Sequence, residues 1–80
     1  MTNAEKYTKV FTDLFNMDAG GVKKLHYQDI KEWDSVGHMT LIACLEDAFD
    51  IEMDTDDIID FENYEKGKEI LKKYHIDVDA

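Results

Sequence analysis

Eighty residues make one domain with a thin core, which leaves no room for a deep active site beside a separate scaffold. Nineteen acids against nine bases, all lysine, give a formal net charge of −10; such a chain repels a nucleic-acid backbone and an anionic membrane surface, and favours partners with basic docking faces. An apolar share of 44% suits a folded globule and argues against full disorder.

The spacing predicts a first helix over 3–17. Tyr7, Val10, Phe11, Leu14 and Phe15 recur at i, i+3, i+4, i+7 and i+8, one helical face. Asn3 is the expected N-cap, with Lys6 rather than a glutamate at the capping-box position. Asp18 to Gly21 ends the helix, Gly20-Gly21 supplying the backbone freedom for a stop. Residues 22–34 show no sustained period. They read as a long loop, with room for a short helical turn, pinned to the core by Val22, Leu25, Tyr27 and Ile30.

A second helix is expected over about 35–50, with Asp34 as N-cap. It is apolar on more than one face, so it should be central, with Leu41, Ile42, Leu45 and Phe49 as its core stripe. A short third helix should follow, capped by Thr55, with Asp56 and Asp57 in its first turn. The last helix runs from Asn63 or Tyr64 to Tyr74, with Tyr64, Gly67, Ile70, Leu71 and Tyr74 facing inward. Ile76-Asp77-Val78 alternates but is too short for a strand that matters. The expected fold is all-α: a small four-helix bundle of three main helices, a short third helix and a long first loop.

The charge is unevenly placed. Eleven acids fall between Trp33 and Glu65 with no lysine among them, so the middle of the chain is one acidic block. A solvated face is the ordinary reading of such a run. A docking surface is the other. Cys44 is alone and can form no internal disulfide. The first residues lack an apolar signal region and no run is long enough to span a bilayer, so a cytoplasmic protein is the default expectation; the chain is also expected to be a monomer.

Chemistry concentrates at Glu32-Trp33-Asp34-Ser35-Val36-Gly37-His38-Met39. A serine at a helix start is by default a cap. Asp34 already fills that role, which puts Ser35 at the first helical position. Its hydroxyl is then exposed where free amides and the helix dipole favour a phosphate ester.

Asp34-Ser35-Val36, followed by Leu41-Ile42, Leu45-Glu46 and Phe49-Asp50, resembles the acyl carrier protein family. That family's signature is Asp-Ser-Leu or a close variant, then a helix ending in Leu-Glu-x-x-Phe. Length, helix order, long first loop and acidic middle fit as well, so the resemblance covers nearly the whole chain and implies a single carrier domain over 1–80. It implies that Ser35 takes 4′-phosphopantetheine from coenzyme A. It implies that Asp34 assists the phosphopantetheinyl transferase through its metal. The arm would then hold an acyl or aminoacyl group as a thioester. Val36, Met39, Ala43, Glu46 and Asp47 would form the face read by a loading ligase and by acyl or condensing transferases. In family members that hold fatty chains, the bundle interior shelters the acyl group. Gly37 and Thr40 stand where several members carry acids. Trp33 and His38 look more like carriers of specialised pathways than the housekeeping fatty-acid carrier.

Other candidates carry less. Ser35 and His38 are three apart on a helix, as a nucleophile and base could be, but a surface histidine is the better reading. Cys44 reads as a small buried side chain. The three histidines and Cys44 lack metal-ligand spacing. Asp54 to Glu65 matches a calcium loop only in part, with Ile59 where the glycine belongs. Trp33 reads as a packing residue that seats the loop. Two classes of function therefore stand: a carrier that performs no catalysis itself, and an unmodified acidic interaction or regulatory domain.

Overall fold

The structure is a computed structural model and describes residues 1–79. Five helices follow one another: α1 (Asn3–Phe15), α2 (Ala19–Val22), α3 (Ser35–Phe49), α4 (Thr55–Asp60) and α5 (Tyr64–Lys72). The fold is a small all-α bundle without strands among the described residues. No helix there is long and apolar enough to cross a membrane.

Four expected helices become five because Asp18 does not end α1; it starts α2. Its side chain accepts the Gly21 N–H at 2.7 Å. What ends α1 is Asn16 in the left-handed region (φ 53°), its N–H donating to the Thr12 carbonyl. Asparagine tolerates that conformation, so neither glycine is needed for the stop. The start of α1 also shifts by one residue. Thr2, not Asn3, is the cap, and Glu5 completes a capping box: Thr2 Oγ1 accepts the Glu5 N–H at 3.1 Å while Glu5 Oε1 accepts the Thr2 N–H at 3.1 Å.

α1 packs along α3 and α2. Tyr7, Phe11 and Phe15, each four apart, bury one stripe against Leu41, Ile42 and Leu45 of α3 and against Trp33. Phe11 is the hub. Its ring lies 5.9 Å from Trp33, 6.2 Å from Phe61 and 5.3 Å from Tyr64, centroid to centroid. Truncating so central a ring to alanine typically costs about 3–5 kcal/mol.

α5 begins as expected at Asn63, whose Oδ1 accepts the Lys66 N–H at 2.7 Å. Gly67 lies where any side chain would run into the Phe61 ring and the Tyr7 hydroxyl. That closeness lets Tyr7 donate to the Tyr64 carbonyl at 2.6 Å. The tail tucks back, with Val78 buried and Lys68 bridging to Asp79 at 2.9 Å.

α4 is held differently from the expectation. Asp54, not Thr55, is its N-cap, and it makes no side-chain cap bond. Instead the Asp54 N–H donates to the Tyr74 hydroxyl at 2.9 Å, and that hydroxyl donates to Asp57 Oδ2 at 2.6 Å. Lys73 Nζ reaches Asp57 Oδ1 at 2.8 Å. The end of α5 thereby clamps the start of α4.

Candidate functional site

The loop before α3 folds tightly onto the helix start. A Cβ on Gly37 would fall on the Glu32 carbonyl oxygen, so only glycine lets the loop pass there. Asp34 caps as expected: Oδ1 accepts the Gly37 N–H at 2.9 Å, and its carbonyl accepts the His38 N–H at 2.8 Å. Ser35 is the first residue of α3 and is exposed. The first amides of a helix have no partner within it, which makes this an anion-favouring position.

Tyr27 belongs to this site, although the sequence marked it only as a loop anchor. An isolated bridge between His26 and Asn63, with the Tyr27 N–H donating to the Glu62 carbonyl at 2.7 Å, carries the loop across to α5. The Tyr27 hydroxyl thereby comes within 3.3 Å of Ser35 Oγ. No local sequence pattern announces the pairing, because it depends on where residues 62 and 63 hold the loop.

His38 is not a surface histidine. It is half-buried, and both ring nitrogens are engaged. Trp33 Nε1–H donates to Nδ1 at 3.0 Å, and Nε2 meets the Ile58 carbonyl oxygen at 2.7 Å. An indole nitrogen can only donate and a carbonyl can only accept, so Nδ1 is bare and the proton sits on Nε2. Each bond is worth about 1 kcal/mol net, and stranding the indole N–H would cost about 1–3 kcal/mol. The ring therefore bridges the loop, α3 and α4 and is turned away from any role as base to Ser35.

The expected docking residues divide. Val36 is 75% exposed and Met39 55%, and Ala43 and Asp47 are exposed along the same side of α3. Ile59 of α4, 72% exposed, extends this apolar strip. Glu46 lies at its edge and turns inward, its Oε2 accepting the Met53 N–H at 2.9 Å. Asp57 leaves the acidic surface altogether: it is 5% exposed. Hydrogen bonds from Lys73, then Tyr74, hold its carboxyl below the ordinary aspartate range. Two members of the acidic block are thus turned into the fold: Asp57 is buried, and Glu46 binds the Met53 N–H. The helical path of 55–60 also removes the loop that a calcium site there would need. Cys44 is only half-buried and lines a groove between α1 and α3 with Val10, Leu14 and Ala48.

A second groove, about 390 Å³, opens beside Ser35 between Tyr27, His38, Met39, Ile58, Ile59 and Phe61. An exposed serine at a helix start, a hydroxyl beside it and a groove next to it can accept a bulky phosphodiester without disturbing the core.

Compared with known proteins, the chain matches no family model, no curated protein and no solved structure with significance.

Proposed function

We propose that the chain is a carrier that holds 4′-phosphopantetheine on Ser35 and presents an acyl or aminoacyl cargo to partner enzymes. The observation that carries this reading is the exposed Ser35 hydroxyl at the first position of α3, freed from capping by Asp34. In the transfer a bond forms from Ser35 Oγ to the β-phosphorus of coenzyme A. The pyrophosphate bond breaks, adenosine 3′,5′-bisphosphate leaves, and the serine proton passes to a base of the transferase. Asp34 caps the helix through Oδ1 and has its other oxygen for the transferase's metal. Tyr27 stands where it can donate to the new phosphodiester. The group's chemical contribution is its terminal thiol, which carries cargo as a thioester.

The exposed strip of Val36, Met39 and Ala43, with Asp47 beside it, suits brief docking: apolar contact for fit, negative charge for fast steering toward basic faces. The resemblance to acyl carrier proteins in Asp34-Ser35-Val36 and Leu45-Glu46-x-x-Phe49 supports the same reading.

The test is intact mass before and after incubation with coenzyme A and a broad-specificity phosphopantetheinyl transferase. One phosphopantetheine should be gained by the wild type and none by Ser35→Ala. A folded, previously unmodified protein that gains nothing would be the unmodified acidic interaction domain instead.

A further inference from the structure

We infer that the cargo is a short acyl or aminoacyl group carried at the surface, and that the interior is closed to a long chain. This rests on the carrier reading of Ser35. An acyl chain entering the core from Ser35 would have to pass between α3 and α4, through the floor of the groove beside the serine. That floor is His38 and Phe61, whose rings stand 6.2 Å apart. It is tied on both sides: His38 holds the Ile58 carbonyl of α4 through Nε2 and the Trp33 indole through Nδ1.

Beneath the floor the space is already filled. Trp33 is fully buried and stacks on Phe15 at 5.2 Å, with Phe11 edge-on at 5.9 Å. Parting α3 from α4 would break the bond from His38 to Ile58 and separate the His38 and Phe61 rings that cover the aromatic cluster. An alkyl chain cannot replace that hydrogen bond. The groove itself stays outside this barrier, and two of its lining residues, Met39 and Ile59, remain largely in water. It can support the arm and a short cargo, and it cannot enclose a fatty chain.

The experiment loads Ser35 from acetyl-, butanoyl- and octanoyl-coenzyme A with the same transferase, with mass confirming each product. Cleavage of each thioester by hydroxylamine is then timed, and the Trp33 indole N–H is followed in a ¹H–¹⁵N spectrum. The expected result is equal cleavage rates within about twofold at every length, and an unmoved indole signal. A chain that spent nine-tenths of its time inside would slow cleavage roughly tenfold. Octanoyl protection of that size, or a displaced indole signal for octanoyl alone, overturns the inference and leaves the carrier reading standing. Absence of any mass gain overturns both together.

Discussion

The Trp33 indole donates its proton to Nδ1 of His38 at 3.0 Å, and through that ring the loop before α3 is joined to the Ile58 carbonyl of α4. Two residues that flank the candidate serine are therefore part of one structural joint. Their side chains point into the fold, while Ser35 between them points out.

Replacing His38 with alanine should remove both hydrogen bonds and leave a buried donor unpaired. The expected loss is about 2–3 kcal/mol, read as a lower urea midpoint with unchanged slope. In the wild type, ¹⁵N shifts of the ring at neutral pH should report the Nε2–H tautomer. A proton on Nδ1 would contradict the joint.

Asp57 gives the fold an acid limb. Its folded pKa is lowered, first by the hydrogen bond from Lys73 and then by that from Tyr74. A lowered pKa means stability that is fully present above the ordinary aspartate value of about 3.9 and is lost as pH falls through the folded value. Asp57→Asn should be less stable than wild type at neutral pH by about 1–2 kcal/mol, discounted because Lys73 stands mostly in water. The gap should close in the window below about pH 4. A gap that stays constant down to strong acid would mean the carboxylate contributes through packing alone. The measurement is a urea series at several pH values.

Two glycines separate close approach from ordinary helix preference. Gly37→Ala should cost about 1–3 kcal/mol, because the added methyl displaces the Glu32 carbonyl. If Ser35 carries the proposed arm, the variant should also be modified more slowly, because the helix start shifts with the loop. At Gly20 an added Cβ would meet only Asp18 Oδ1, at an ordinary 3.7 Å. Gly20→Ala should therefore be neutral or stabilise by about 0.5–1 kcal/mol. Thermal melts of the pair decide this, and equal shifts would refute the close approach.

The helices were legible because their signals are local. Tyr7, Phe11 and Phe15 repeat every four residues, and Asp34 and Asn63 are strong caps. The errors also have local causes. Thr2 and Asn3 are both capping residues, and only the position of Glu5 three beyond Thr2 decides between them. Gly20-Gly21 looked like a stop because glycine is permissive, yet Asn16 reaches the left-handed region first. The polar joints were not legible. His38 to Ile58, Asp57 to Tyr74 and Tyr27 to Ser35 join residues brought together by packing, and a sequence pattern marks such residues as polar without naming their partners. The exposure of Ser35 was legible, since it follows from Asp34 taking the cap.

Asp50 offers a way to separate conformational strain from charge in the acidic middle. It caps α3 in the left-handed region (φ 55°), where an L-residue pays roughly 1 kcal/mol and glycine pays nothing. Its charge also faces the negative end of the helix dipole and the acids around it. Asp50→Asn removes the charge and keeps the side chain, while Asp50→Gly removes both burdens. Both variants should be stabilised: asparagine by about 0.3–1 kcal/mol from the lost charge, and glycine by roughly 1 kcal/mol more from the lost strain. Because charge repulsion is screened over roughly 8 Å at physiological salt, the asparagine gain should shrink as salt is added, and the extra gain from glycine should not. The wild type should itself melt higher in salt for the same reason. If all three proteins respond to salt alike, the Asp50 charge adds nothing to repulsion within the acidic block, and the conformational contribution at Asp50 is what remains.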